Sequence, residues 1–348
     1  MTHTSNPLIT AVIPTFRRAK LLRRAVRSVL DQEGVGLRVC VFDNASGDET
    51  ADVVADLAAS DARVIYHRHA ENIGAARNFE FGLSAVETSF FSILSDDDYL
   101  LPGFYKNAME GLARHAEAMC WAGMTLNVDE TDVIWDARVR SWHREGVFSP
   151  PEGFTQMTGG MAPVWTGVLF RHKVLTEVGM PDPSVLGPSD FDFLLRLAAR
   201  HPFVLSKHPS AVFTLNSTSF SATQPLSSFW PGWKRMLKKL EDDGDLDIAF
   251  RRKANEALSQ DAYKMLFRRG ANALAAGRLD FAKDAAEALS ADCGRKVDAG
   301  ILRTISTICE HSAAAQTLFT WAYRKTEQRI VRSRSGLQQE YGHLLRPI

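Results

Sequence analysis

The chain has 348 residues, of which 45% are hydrophobic and 24% are charged, a composition typical of soluble globular proteins with enough length for two domains. Its 41 Lys and Arg residues balance 41 Asp and Glu residues, so the overall charge does not favour a nucleic-acid-binding protein. The four cysteines are scattered without a Cys-x-x-Cys spacing, which argues against a zinc site or a disulfide framework and favours a reducing compartment. The sequence shows no long apolar run and no signal-peptide pattern, so we expect a cytoplasmic protein, with peripheral contact at the inner face of the membrane left open.

The N-terminal third alternates short apolar runs with amphipathic segments. Strands are predicted at residues 8–13, 37–42, 63–66 and 90–94. Helices are predicted at residues 20–30 and 50–59, with a third ending near residue 86. This alternation predicts an α/β fold with a Rossmann-like, mostly parallel sheet flanked by helices and a ligand site along its carboxyl edge.

Polar residues collect in the loops that follow these four strands. In chain order they are Thr15 and Arg17, then Asp43, then Asn72, Arg77 and Asn78, and finally Asp96, Asp97 and Asp98. Three consecutive carboxylates repel one another, and a divalent cation such as Mg²⁺ or Mn²⁺ relieves that repulsion. The alternatives are local: the three acids could form a solvated turn before the next helix, and Asp43 could simply turn the chain.

The loop after the first strand contains neither Gly-x-Gly-x-x-Gly nor Gly-x-x-x-x-Gly-Lys, which argues against a dehydrogenase or a P-loop enzyme. A nucleotide could instead be held by a carboxylate that reads a base or ribose edge, such as Asp43. A metal on Asp98 together with Arg77 could neutralise a diphosphate.

Four segments, in this order, resemble the family-2 glycosyltransferases, which are inverting nucleotide-sugar enzymes with the A-type fold. They are Ile13-Pro14-Thr15-Phe16-Arg17-Arg18, Val41-Phe42-Asp43-Asn44-Ala45-Ser46, Asn72-Ile73-Gly74-Ala75-Ala76-Arg77-Asn78 and Ser95-Asp96-Asp97-Asp98-Tyr99-Leu100-Leu101-Pro102-Gly103. The resemblance covers about residues 7–220. It implies a UDP, GDP or dTDP sugar donor, a saccharide or lipid-linked acceptor, and Mn²⁺ or Mg²⁺ as cofactor.

The resemblance also implies roles for single residues. Asp43 would contact the nucleobase, and a second group of residues would line the nucleotide-sugar pocket: Pro14, Thr15, Arg17, Asn72 and Arg77. Asp96, Asp97 and Asp98 would hold the metal, with Asp96 and Asp97 also close to the donor. Because Ser95 stands where the family's motif often has its first Asp, the division of roles among the three aspartates stays open.

A second segment, residues 187–197, resembles the family's Glu-Asp-x-Asp-x-x-x-Arg-Leu signature, whose second acid is the catalytic base. That position is Asp190, and Ser189 replaces the preceding Glu. The apolar stripe that follows places Asp190 at the beginning of a helix, where capping alone would also favour a carboxylate. Asp192 is the fallback base, and Trp165 and His208 are minor site candidates.

Between these motifs, strands are predicted at residues 120–128 and 165–170. Residues 129–148, with Trp135, Trp142 and His143, are predicted to form an excursion that either shapes the acceptor site or packs as a surface flap. The polar run at residues 216–221 resembles a loop that closes over the donor diphosphate in related enzymes.

From residue 224 onward the composition predicts helices, at residues 231–240, 249–267, 271–277, 281–289 and 297–332. We therefore expect a catalytic domain at 1–223, with nucleotide-sugar-binding and acceptor halves at about 7–115 and 116–223, and an all-α domain at 224–348. Three roles are open for the helical domain. It could buttress the catalytic domain or form a homo-oligomer, select the acceptor, or dock on a membrane through an aromatic and basic helix containing Trp230, Trp233, Lys234, Arg235, Lys238 and Lys239.

Taken together, the sequence predicts an inverting glycosyltransferase that transfers a sugar to an acceptor hydroxyl in surface polysaccharide or glycolipid synthesis. The alternatives are a nucleotidyltransferase and a non-catalytic sugar-nucleotide-binding scaffold. A nucleotidyltransferase would normally carry a glycine-rich basic loop where this chain has Pro14-Thr15-Phe16.

Overall fold

The structure, a computed structural model, describes residues 8–216 and 224–345. The N-terminal half of the sheet contains β1 (Ile9–Thr15), β2 (Leu37–Asp43), β3 (Val64–Arg68) and β4 (Phe90–Ile93). The intervening helices are α1 (Ala19–Leu30), α2 (Thr50–Ser60) and α3 (Ala75–Ser84). These four strands pair in parallel in the order β3-β2-β1-β4, so the polar loops after them meet at one edge.

The second half of the sheet is mixed. Its strands are β5 (Tyr99–Leu100), β6 (Cys120–Asp129), β7 (Ile134–Arg138), β8 (Gly146–Phe148), β9 (Val168–Arg171) and β10 (Phe203–Leu215). Its helices are α4 (Phe104–Arg114), α5 (Glu152–Met157), α6 (Val174–Glu177) and α7 (Ser189–Arg200). The sheet continues as β4-β9-β6-β10-β5, with β6 and β10 parallel and β9 antiparallel to both of its neighbours.

The α/β fold and the order of its predicted elements are confirmed, with three local differences. The strand predicted at residues 165–170 begins as a 3-10 turn at Trp165–Gly167. Beyond the strands predicted from the sequence, β10 runs for 13 residues through a register shift near Pro209. Within the excursion at 129–148, Trp142 is buried and its indole donates to the Met161 carbonyl, as in a packed flap.

The C-terminal part is helical, as predicted. It contains α8 (Leu226–Asp242), α9 (Ile248–Ala275), α10 (Leu279–Ala291), α11 (Lys296–His311), α12 (Ala313–Ser333) and α13 (Ser335–Tyr341). The two helices predicted at 249–267 and 271–277 are one helix, α9, which runs through Gly270. The single helix predicted at 297–332 is divided at Ser312 into α11 and α12.

Residues of these helices share a hydrophobic core with the sheet. One buried cluster contains Phe193 of α7 and Phe203 of β10 together with Trp233 of α8 and Leu258 of α9. The helical part is therefore packed against the side of the α/β part that carries α7.

The tryptophans of helix α8 are buried, which argues against membrane docking through them, one of the three roles left open for the helical domain. Trp230 and Trp233 are 6% and 4% exposed, and the Trp230 indole donates to Asp292, just after the end of α10, at 2.5 Å. The basic residues of the same helix form ion pairs within the chain, including Lys239 with Asp182 and Asp192. Separately, no helix within residues 8–216 and 224–345 combines the length and apolar character needed to cross a membrane.

Candidate active site

Three neighbouring cavities follow the carboxyl edge of the sheet. The strand-edge cavity has a volume of about 410 Å³ and is lined by the loops after β1, β2, β3 and β4. The central cavity, about 520 Å³, lies between α3 and the loop before α7. The helical-side cavity, about 440 Å³, lies between that loop and helices α8 and α9. Phe213 of β10 lines all three cavities, so they form one groove that runs from the strand-edge cavity to the helical part.

Asp96 and Asp97 face the strand-edge cavity and share one arginine. Arg18 Nη1 donates to Asp97 Oδ2 at 2.6 Å and to Asp96 Oδ1 at 3.2 Å. The other Asp96 oxygen accepts from the Thr15 hydroxyl at 2.8 Å and from the Phe16 amide at 3.3 Å. Both aspartates are only 6% exposed, and the single charge of Arg18 can offset one of their two negative charges.

Burial raises the pKa of Asp96 to about 6, because its charged form loses hydration. The charge of Arg18 and the hydrogen bonds from Thr15 and Phe16 oppose this rise, while the charge of Asp97 adds to it. A cation placed beside the pair would favour the ionised carboxylate further.

Asp98 is turned away from the cavity into the protein. Its side chain is fully buried, and its oxygens accept from the Thr166 hydroxyl at 2.6 Å and the Thr214 amide at 2.8 Å. Burial, followed by the charge of Asp97, raises its pKa well above the usual range. The expectation that all three aspartates face one metal is therefore wrong for Asp98, which instead fastens β10 to the acidic loop.

Asp43 closes its own loop. Its carboxylate accepts from the Ser46 amide and hydroxyl at 2.9 and 2.5 Å and from the Tyr66 hydroxyl at 2.6 Å, and it is 1% exposed. Next to it, Asn44 donates to Asn72 Oδ1 at 2.9 Å, and both asparagines line the strand-edge cavity. The structure thus places Asn72 in the site but places Asp43 behind its wall.

The remaining predicted donor residues divide between the cavities. Pro14 and Thr15 line the strand-edge cavity. Arg17 lies outside that lining, with its guanidinium donating to the Ser46 carbonyl at 3.0 Å. Arg77 is exposed and lines the central cavity, while Asn78 is buried and donates to the Phe42 carbonyl at 2.8 Å.

Asp190 lies in the first turn of α7, between the central and helical-side cavities. The Asp190 carboxylate is accessible from the groove. Protein atoms lie close on both sides of the groove and reduce the hydration of the charged carboxylate, which raises the pKa of Asp190. The Phe191 amide donates to Asp190 Oδ1 at 2.7 Å and opposes the rise. The indole of Trp165 donates to the Asp190 carbonyl at 3.1 Å, which fixes the start of the helix.

The other acid of this segment, Asp192, is not accessible. It is 2% exposed and accepts from Arg196 Nε and Lys239 Nζ, both at 2.9 Å. His208 lies on an exposed part of β10 and lines none of the three cavities. The structure therefore assigns Asp192 to an ion-pair network and leaves Asp190 as the accessible acid.

The chain matches the model of the family described as Glycosyl transferase family 2 over residues 10–179. An uncharacterized glycosyltransferase of Rickettsia prowazekii is 30% identical over 248 residues, which span 68% of this chain and 74% of that protein. The chain belongs to glycosyltransferase family 2. In several other curated relatives, the matched part spans about a third of their length.

Two solved structures of glycosyltransferases share this fold at low sequence identity. Staphylococcus aureus TarS 1-349 in complex with UDP-GlcNAc has a TM-score of 0.61 and 12% identity, covering 91% of this chain and 92% of that one. The mannosyltransferase PcManGT from Pyrobaculum calidifontis, in complex with GDP-Man and Mn²⁺, has a TM-score of 0.54 and 16% identity, covering 97% of this chain and 88% of that one. These likenesses confirm the A-type fold for this family-2 glycosyltransferase, including its helical C-terminal part.

The strand-edge cavity of this glycosyltransferase fits a divalent metal with few protein ligands. In the described parts of the chain, no three His, Cys, Asp or Glu side chains are arranged as a metal site. One or two carboxylates completed by phosphate oxygens are nevertheless a normal ligand set for Mg²⁺, and Asp96 and Asp97 supply them. Arg18 contacts one oxygen of each carboxylate, Asp96 Oδ1 and Asp97 Oδ2, so a metal on this pair would share the two acids with the guanidinium.

Sequence reasoning missed several residues that hold the site together. Arg18 lies in the segment after the first strand, but the sequence assigned it no role. Arg24 donates to the Asp97 carbonyl at 2.7 Å, and its guanidinium lies 4.5 Å from the centre of the Tyr99 ring. Thr166 and Thr214, which hold Asp98, come from elements about 70 and 120 residues further along the chain. Of these residues, only Arg18 lies in a segment that follows a predicted strand, so only it offered a signal in the sequence.

Proposed function

We propose that this family-2 glycosyltransferase binds a nucleoside-diphosphate sugar in the strand-edge cavity and transfers the sugar, with inversion, to an acceptor hydroxyl at Asp190. The observation that carries the proposal is the continuous groove, with Asp96 and Asp97 at one end and Asp190 further along it. Nucleotide and diphosphate would lie over Thr15, Asn44 and Asn72, and the sugar would extend through the central cavity past Arg77.

Asp190 is the general base in this proposal. As the acceptor oxygen attacks the anomeric carbon, its proton passes to the Asp190 carboxylate while the bond from the anomeric carbon to the diphosphate oxygen breaks. A carboxylate that is accessible but poorly hydrated suits this role, because desolvation raises its pKa and makes it a stronger base. Trp165 holds the backbone of Asp190 and thereby positions the carboxylate.

Asp97, with Asp96 beside it, would hold Mn²⁺ or Mg²⁺. When bound, the metal would neutralise charge that develops on the departing diphosphate. Arg18 would then move from the two carboxylates to the phosphate oxygens, which accept well from a guanidinium. The mannosyltransferase from Pyrobaculum calidifontis, which was solved with GDP-Man and Mn²⁺, supports a divalent metal in this fold.

We place the enzyme in the cytoplasm, acting on a saccharide or lipid-linked acceptor for surface polysaccharide or glycolipid synthesis. The free state of all four cysteines supports a reducing compartment. We keep the proposed domain boundary between residues 223 and 224. Residues 217–223 lie outside the described residues, and they include most of the loop at 216–221 that we propose covers the diphosphate.

Ligand-induced stabilisation tests the donor class. UDP, GDP and dTDP, each with and without Mn²⁺, should give one nucleotide that raises the melting temperature most, because a ligand that binds only the folded state stabilises it. The matching sugar nucleotide should then be hydrolysed slowly, with water in place of the acceptor. Binding without release of nucleoside diphosphate would favour a scaffold, and release of inorganic pyrophosphate from a nucleoside triphosphate would favour a nucleotidyltransferase.

A further inference from the structure

The helical-side cavity carries an excess of positive charge. Its lining includes four cations, Arg138, Lys264, Arg268 and Arg269, and two acids, Asp190 and Asp261. Asp190 lies at the end that opens to the central cavity. Lys264, Arg268 and Arg269 come from α9, so the helical part supplies most of this charge.

The remaining acid in the lining is already engaged. Asp261 is 9% exposed, and its carboxylate accepts from the Gly159 amide at 2.5 Å, which fastens the loop at 159–160 to α9. Among the described residues, no carboxylate lies within ion-pair distance of Lys264 or Arg268, whereas Arg138 lies 3.5 Å from Asp136. Burial lowers the pKa of Arg138; the charge of Asp136 opposes this change, and the charge of Arg268 adds to it.

The same cavity contains buried polar atoms that lack a hydrogen-bond partner in the described part of the chain. They are Asn127 Oδ1, Trp233 Nε1 and both side-chain polar atoms of Gln224, while Arg138 Nε has only the 3.5 Å approach to Asp136. The Gln224 and Trp233 side chains are 3% and 4% exposed. Each buried polar atom without a partner costs about 1–3 kcal/mol, so a group of them in one cavity indicates a polar ligand that satisfies them.

We infer that the helical-side cavity is the acceptor site and that it takes a saccharide carrying a phosphoryl group. This inference rests on the proposed function, because it places the attacking hydroxyl at Asp190 and the phosphoryl group at Arg138 and Arg268. A phosphate monoester carries about −1.5 to −2 charges at neutral pH, which matches Lys264 and Arg268, the two lining cations without a carboxylate at ion-pair distance among the described residues, better than a single carboxylate does. In addition, the planar guanidinium of an arginine can donate two parallel hydrogen bonds to two oxygens of one phosphate.

Anion binding with the donor site filled tests this assignment. The wild-type chain, saturated with its best nucleoside diphosphate and Mn²⁺, is titrated calorimetrically with glycerol 3-phosphate, farnesyl diphosphate and methyl glucuronide. We expect binding of at least one phosphoryl probe and weaker binding of the glucuronide. Preference for farnesyl diphosphate would indicate a lipid-linked acceptor, and preference for glycerol 3-phosphate a phosphate-containing polymer; both support the phosphoryl assignment.

Two variants on the same helix locate the binding site. Arg268→Gln should weaken the preferred phosphoryl probe roughly tenfold, the loss of one charge-assisted hydrogen bond. Arg252→Gln makes the same charge change at an exposed position of α9 outside the cavity and should have no effect. Absence of phosphoryl binding, tighter binding of the glucuronide, or an equal effect of both variants would overturn the inference.

The two proposals fail separately. If no nucleotide binds, the proposed function is wrong, and the three anion probes are then titrated into the protein in the absence of nucleotide. If a nucleotide binds and its sugar is hydrolysed but no phosphoryl probe binds, only the acceptor assignment is wrong.

Discussion

Exchanging each of two neighbouring acids for its amide separates catalysis from stability in α7. Asp190→Asn keeps an oxygen for the Phe191 amide but removes the accessible base, so kcat for donor hydrolysis or transfer should fall roughly 10²–10⁴-fold, equivalent to about 3–5 kcal/mol of activation free energy. The free energy of unfolding should stay nearly constant, because no ion pair to Asp190 exists among the described residues.

Asp192→Asn should behave in the opposite way. Asp192 is buried between Arg196 and Lys239, and breaking a buried pair costs about 3–5 kcal/mol. The loss should be smaller here, about 2 kcal/mol, because Lys239 keeps Asp182 at 3.1 Å and Arg196 still donates to the Met180 carbonyl at 3.0 Å. Its kcat should change far less than that of Asp190→Asn.

Steady-state kinetics and chemical denaturation of both variants, measured side by side, decide between the two acids. Because its pKa is raised, Asp190 should gain a proton at a higher pH than an ordinary Asp, so kcat of the wild type should fall as the pH drops through that raised pKa. An Asp190→Asn variant that keeps full turnover, or an Asp192→Asn variant that loses turnover with unchanged stability, would refute the assignment of the base.

Three further predictions test the acidic loop and the packing behind the base. Asp97→Asn should weaken Mn²⁺-dependent nucleotide binding measured by calorimetry. Asp98→Ala should instead lower the free energy of unfolding in urea by about 2–4 kcal/mol, because the Thr166 hydroxyl and the Thr214 amide lose their buried acceptor. An equal loss of metal binding in both variants would contradict these different roles. The pKa of Asp96 rises on folding from 3.8 to about 6, so its stabilising contribution is complete below the lower value and lost as the pH rises through the higher one. In metal-free buffer, Asp96→Asn should therefore flatten the change in unfolding free energy between about pH 4 and 7, by about 2–3 kcal/mol, and an unaltered pH profile would argue against this shift. Finally, Gly232→Ala would place a Cβ 1.9 Å from the carbonyl oxygen of Val185, which lies just before the Asp190 segment, and should lower both kcat and the free energy of unfolding, the latter by about 1–3 kcal/mol. As a control in the same denaturation assay, Gly300→Ala on α11 has open space around it and should raise the free energy of unfolding by about 0.5–1 kcal/mol.

The elements that the sequence predicts best are those whose signals are local. All seven residues of β1 are buried, and a mostly apolar run of this kind identifies a central strand regardless of its partners. The loops after such strands must meet at one edge, so the neighbourhood of Thr15, Asn72 and Asp96 follows from topology alone. The apolar stripe of α7 places Asp190 in the first helical turn, but only the resemblance to the family's acidic signature singles it out as the base.

The direction of each aspartate in the acidic loop depends on contacts that are remote in sequence. Asp98 turns inward because Thr166 and Thr214 donate to it, and nothing near residue 98 indicates those partners. Helix α9 likewise continues through Gly270 because the helix packs closely there: an added Cβ would lie 2.9 Å from Leu302 and 3.1 Å from Ala285. A glycine that would end an isolated helix is thus retained for close packing.

The tryptophans of α8 show how the same sequence pattern supports different roles. An aromatic and basic helix is typical of membrane contact, but here Trp230 donates to Asp292, Trp233 lines the helical-side cavity, and Lys239 pairs with two aspartates near the base. Of the three roles considered for the helical part, packing against the catalytic part is visible in the shared core, and acceptor selection is the role we propose. Helices α8 and α9 form one wall of the cavity that ends at Asp190, and the groove could not be enclosed on that side without them.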